Sequence, residues 1–147
     1  MMKTNEPTYT IKVTERQLKE LSNACEVVAR LRIGQPEDAL RELRGESEAF
    51  VVMEDFEKFY EMERVVQDST GFSKGASWGV GKFEDADILF DMHQVFRNVT
   101  SWAHAKRCKL TESDGSRNWH TMMTVNYDEP MKYSSQPLPE VIVNTND

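Results

Sequence analysis

At 147 residues, 39% of them hydrophobic, the chain is long enough to bury one core and too short to call for a second, so residues 1–147 read as a single domain. Its 25 acidic against 18 basic residues give a formal net charge of −7, which argues against broad binding to DNA or to an anionic membrane and leaves room for a local basic pocket. No apolar run approaches the roughly 20 residues that span a bilayer, and "MMKTNEPTYT" lacks the apolar core of a signal peptide, so a soluble, cytoplasmic protein is expected.

In chain order, "TYTIKV" alternates Tyr9, Ile11 and Val13 on one face and reads as a short strand. Thr14 followed by Gln17 fits a capping box, and Leu18, Leu21, Cys25, Val28 and Ala29 then recur at helical spacing, which predicts a helix over Glu15 to Leu31. Gly34 suits its C-terminal cap, and Pro36 opens a short second helix that runs to Arg44. Ser47 caps a third helix, whose Phe50, Met53, Phe56, Phe59, Tyr60, Met62 and Val66 form a broad apolar, core-type surface.

"DSTGFSKGASWGVG" has neither periodicity and reads as an exposed loop. Asp85 caps a fourth helix with Ile88, Leu89, Met92, Val95, Phe96, Val99 and Trp102 pointing inward. After the polar turn "ESDGSRN", Trp119 to Tyr127 is rich in strand-forming residues, and "DEP" stops it before a tail with a final short run, "EVIV". The expected fold class is therefore α+β: an N-terminal strand, three to four helices and a C-terminal β ribbon.

Several groups of residues invite a chemical reading beside a structural one. Lys74 and the glycines around it suggest a phosphate cradle, yet no GxxxxGK[ST] or strand-led GxGxxG is present. On the fourth helix His93, Arg97, Thr100 or Ser101, and His104 lie three or four residues apart, with Asp87, Asp91, Gln94 and Asn98 beside them. This is either a solvated helix face or a convergence on an anionic or nucleotide ligand in which Arg97 takes a phosphate. Arg30 and Arg32 sit at the end of the first helix, where cations are stabilising in their own right and where arginines also meet phosphates. Glu54, Glu57, Glu84 and Asp87 form ExxE and ExxD pairs that would suit Mg²⁺-dependent pyrophosphohydrolysis, although acidic pairs arise readily by chance in so acidic a chain. Cys25 and Cys108 sit in no CxxC or Cys/His arrangement, so neither a disulfide framework, a metal site nor a cysteine nucleophile is expected, and no cofactor is implied.

The motifs "YTIKVTERQLKELSNACEVVARLRIGQPEDAL", "GASWGV", "ADILFDMHQVFR" and "TVNYDEPMKYSSQPLPEV" together cover most of the chain. In that order they resemble a family of small phage and prophage proteins with "LTEEQL…RIGxGQ", "SYGI", "YDIxQVIR" and "YDEP" motifs. The family is identified with the Thoeris anti-defence sponges, which sequester cyclic ADP-ribose isomers; some related sponges also capture cyclic oligonucleotides. The resemblance implies tight binding without turnover by a homodimer or higher oligomer with ligand pockets at subunit interfaces. Arg32 matches the "RIG" arginine, Trp78 the aromatic of the "SYGI" loop, and Asp91, Gln94 and Arg97 the "YDIxQVIR" positions. Trp78 and Phe90 replace tyrosines, and Met92-His93 departs from the usual pair.

Against a cyclic adenine nucleotide, Trp78 would stack on the base, Arg32 and Arg97, with Arg30 nearby, would take phosphates, and Asp91 or Gln94 would accept ribose hydroxyls. Two rivals are the Mg²⁺-dependent pyrophosphohydrolase and an inhibitor that binds a host factor through exposed aromatic residues.

Overall fold

The computed structural model of the chain describes residues 6–36, 39, 56–71 and 76–144. Three α-helices lie within them: α1 over Glu15–Arg32, α2 over Phe56–Ser69 and α3 over Glu84–Arg107, followed by a single 3₁₀ turn at Val125–Tyr127.

Helix α1 begins where the sequence predicts. The Gln17 amide donates to Thr14 Oγ1 at 3.2 Å and the Thr14 amide to Gln17 Oε1 at 2.8 Å, so the capping box satisfies two otherwise orphaned donors. The helix ends in a Schellman turn. The Gly34 amide donates to the Leu31 carbonyl and the Gln35 amide to the Arg30 carbonyl, which requires the left-handed backbone (φ 87°) that glycine adopts without steric cost. The predicted second helix falls almost wholly outside the described residues, with only Pro36 and Ala39 inside them. Ser47, Phe50 and Met53 of the predicted third helix also lie outside; in α2 itself Tyr60, Met62 and Val65 are exposed.

Helix α3 starts two residues earlier than predicted, so Asp85 lies in its first turn and is not its cap. Phe83 takes the capping position without a side-chain bond, and Glu84, Asp85 and Asp87 place negative charge in the first turn, where the helix dipole favours it. Helices α1 and α3 pack antiparallel. Arg32 reaches the Asp85 carbonyl at one end, Ser22 meets His93 midway, and Arg107 pairs with Glu15 at the other end. Leu18 and Cys25 of α1 and Val95 and Phe96 of α3 form the buried centre, flanked by Leu89, Met92 and Val99.

The expected α+β architecture is overturned: none of the described residues forms a strand. Alternation fixes which side chains share a face only when a neighbouring strand completes the ladder, and here none does. Tyr9 and Ile11 are 85% and 69% exposed on an extended but unpaired segment. The predicted ribbon over Trp119 to Tyr127 is instead a chain of turns. In "EVIV", Val141 packs on the helical core together with Leu138, while Ile142 and Val143 remain exposed.

The tail is held by α3 side chains in place of a ladder. Asp91 accepts from the amides of Tyr133 and Ser134, Gln94 both donates to and accepts from the Met131 backbone, and Asn98 donates to the carbonyls of Asn126 and Asp128. Trp102 Nε1 donates to the Tyr127 carbonyl, and Glu84 accepts from Ser135. One polar stripe of α3 thus serves as a template for 10 residues of irregular backbone, from Asn126 to Ser135.

Candidate ligand cavity

Between α1 and α3 lies a cavity of about 370 Å³. Lys19, Ser22, Asn23 and Glu26 line it from α1, His93, Arg97 and Thr100 from α3, and Asn126 from the tail. Those positions follow from helical geometry: Lys19, Asn23 and Glu26 recur at four and three residues, as do His93, Arg97 and Thr100, so each set forms a stripe facing the other helix. A larger groove of about 600 Å³ follows the segment from Val13 to Ala24. Its walls all come from that one segment, so it lacks groups converging from a second element and is the weaker candidate.

His93 is the pivot of the cavity and is 6% exposed. Its Nδ1 lies 3.0 Å from both the Ser22 carbonyl oxygen and Ser22 Oγ, and Ser22 Oγ in turn donates to the His93 carbonyl at 3.1 Å. A carbonyl only accepts, so the bonding pattern assigns the proton to Nδ1 and leaves a bare lone pair on Nε2. Arg97 Nη1 points a donor at that lone pair from 3.3 Å. Burial pushes the His93 pKa below its ordinary value; Glu26 and the Ser22 carbonyl pull it back up, and the charges of Arg97 and Arg30 push it down. The lowered pKa and the Arg97 donor facing Nε2 both favour the neutral ring.

Glu26 and Arg97 complete the electrostatics. Glu26 Oε1 accepts from Arg30 Nε at 3.0 Å and Nη2 at 2.9 Å, which leaves Oε2 facing His93 Nε2 at 3.6 Å. Arg97 Nε is buried and has no hydrogen-bond partner among the described residues. An unmatched donor on a permanent cation is costly, so its retention beside a polar cavity marks a place where a further acceptor would be favourable.

The six residues singled out in the sequence separate into three groups. Arg97 lines the cavity, and Arg30 braces its Glu26 wall while donating to Gln35 Oε1 at 2.9 Å. Arg32 and Trp78 sit at the opposite end of the helix pair. Arg32 donates to the Asp85 carbonyl at 3.0 Å, and the Trp78 amide donates to the Ile33 carbonyl at 2.8 Å. The Trp78 ring is 55% exposed, stands edge-on to Phe83 at 6.0 Å between centroids, and has Lys82 Nζ 5.8 Å from its centre. From Asp85 to Arg97 is 12 residues, or about 18 Å along the helix axis, too far for one small ligand to bridge within a chain. Asp91 and Gln94 form the third group; both are engaged by the tail.

Sequence reasoning missed Lys19, Ser22, Asn23, Glu26 and Asn126 and left His93 open between solvated face and ligand contact. The spacing of four between Glu26 and Arg30 was a readable signal for that ion pair; the pairing of Ser22 with His93 across 71 positions was not. Among the carboxylates of the Mg²⁺ reading, Glu84 is bonded to Ser135 and Asp87 accepts the Gly81 amide at 2.8 Å, while Glu54 lies outside the described residues. No three metal-ligating side chains gather among the described residues, and no helix among them is long and apolar enough to cross a membrane.

No protein-family model, curated protein or solved structure matches the chain.

Proposed function

We propose that the protein is a binding protein that sequesters a small anionic nucleotide of the cyclic ADP-ribose class in the cavity between α1 and α3, without turning it over. The observation that carries this reading is the Nε of Arg97, which has no partner among the described residues and is buried at the edge of a cavity whose other donors include Lys19, Asn23 and Asn126. A pyrophosphate oxygen is the natural complement of such a guanidinium, and Asn23 and Glu26 offer partners for ribose hydroxyls.

The biological role implied by the order of the sequence motifs is depletion of a host immune signal by a phage-type anti-defence protein acting in the host cytoplasm. The separation of Arg97 from Trp78 and Arg32 fits a homo-oligomer, in which the Trp78 end of one copy completes the cavity of another and stacks on the base.

To test this, the purified protein is incubated with a cyclic ADP-ribose isomer, desalted, heat-denatured and analysed by mass spectrometry. Intact ligand should come off in proportion to protein, with no requirement for Mg²⁺. Retention of nothing, or release of a hydrolysed product in a Mg²⁺-dependent manner, would overturn the reading.

A further inference from the structure

We propose that the cavity takes up an oxyanion together with one proton: the anion is gripped between the Arg97 guanidinium and a doubly protonated His93 imidazole, so affinity weakens as pH rises. This rests on the proposed function only in using the same cavity.

The argument starts from the donor set. In the cavity His93 Nε2 carries a lone pair and Arg97 Nη1 is turned toward it at 3.3 Å. An anionic oxygen placed there would draw Arg97 away and meet that lone pair directly, which is repulsive. If Nε2 takes a proton from solvent, the same spot gains a second charge-assisted donor and the repulsion becomes attraction. The ring is already positioned for this, because Nδ1–H stays on the Ser22 carbonyl in either charge state.

The surrounding charges explain why the proton waits for the anion. From α1, Glu26 Oε2 lies 3.6 Å from Nε2 and favours protonation, but the charge of that carboxylate is shared with Arg30 through two hydrogen bonds to Oε1. Lys19 stands on the same wall. From α3, Arg97 presents a permanent cation at hydrogen-bond distance and opposes a second one. From the tail comes only Asn126, which is uncharged. A bound anion supplies the negative charge that lets imidazolium and guanidinium stand side by side. By linkage, the proton that binding adds is a proton that a higher pH withholds.

Sulfate is the probe, because its own charge does not change across the range in which histidine titrates. Sulfate binding is followed between about pH 5.5 and 8 by NMR of the His93 ring nitrogens. Affinity should fall about tenfold for each pH unit above the His93 pKa, and saturating sulfate should convert the Nδ1–H tautomer to the form protonated on both nitrogens. In His93→Gln the pH dependence should disappear. Sulfate affinity independent of pH in the unaltered protein, a ring that stays singly protonated when saturated, or no saturable binding would each overturn the inference. The wild-type ring signals decide the matter even if the variant fails to fold. Failure of this coupling with nucleotide still retained removes the inference alone; coupled sulfate binding with no nucleotide retained removes the nucleotide reading alone.

Discussion

Replacing Asp91 with asparagine tests whether α3 holds the tail through its side chains. Asp91 is 2% exposed, and its carboxylate accepts three bonds: Oδ1 from the Tyr133 amide at 2.8 Å, and Oδ2 from the Ser134 amide at 3.0 Å and the Ser134 hydroxyl at 2.6 Å. Asparagine keeps the shape but exchanges one acceptor oxygen for an NH₂ donor. Whichever way the amide turns, one backbone N–H of the tail then faces a donor. A hydrogen bond to a charged group contributes about 1.5–3 kcal/mol, and a buried donor left without an acceptor costs about 1–3 kcal/mol. The two overlap, so Asp91→Asn should lose roughly 2–4 kcal/mol, a large share of the roughly 5–15 kcal/mol typical of a domain. Detachment of the tail caps the loss, because once it lifts off, its amides are solvated and what is forfeited is the packing of Leu138 and Val141 together with the bonds to Gln94 and Glu84. Urea denaturation measures the first quantity, and amide hydrogen exchange at Tyr133 and Ser134 reports whether the tail has lifted while α1 and α3 stay protected. A loss below about 1 kcal/mol with undiminished protection at those amides would refute the reasoning.

Arg97→Met should separate binding from stability: it removes an Nε with no partner among the described residues and one long bond from Nη1 to His93 Nε2 at 3.3 Å, so unfolding free energy should change by less than about 1 kcal/mol while nucleotide retention weakens at least about tenfold; a large stability loss would mark Arg97 as a structural residue. Trp78→Ala should leave the thermal midpoint nearly unchanged, because the ring is more than half exposed; bound nucleotide should shield the wild-type Trp78 from iodide quenching, and unchanged quenching would remove it from the ligand surface. Hydrogen bonds from Arg107 and then Lys19 hold the Glu15 carboxyl at about 2, below its ordinary 4.5. A depressed carboxyl stabilises the fold above its ordinary value and loses that contribution as pH falls from about 4.5 through about 2. Both partners face solvent, so the contribution should be small and screened by salt. Arg107→Ala should raise the Glu15 pKa above about 3 in an NMR titration, and an unmoved value would contradict the pairing.

The end signals of α1 were legible because their causes are local. Thr14 and Gln17 satisfy one another across three residues, and Gly34 supplies a backbone conformation that its neighbours need, so the sequence carries everything these features require. The strands were misread because alternation is a statement about a surface, and the surface that would have met Tyr9, Ile11 and Val13 does not exist among the described residues. The role of the polar stripe of α3 was not legible for a subtler reason. A carboxylate that accepts ribose hydroxyls and one that accepts backbone amides look identical in sequence, and the amides Asp91 takes lie 42 and 43 positions away. What separates the two roles is whether the chain itself fills the acceptor. Asp91, Gln94 and Asn98 are each filled by the tail, and within the same helix Arg97 has a buried donor left unfilled among the described residues. Spacing placed all four on one helix surface; hydrogen-bond accounting singles out the one with a partner still to come.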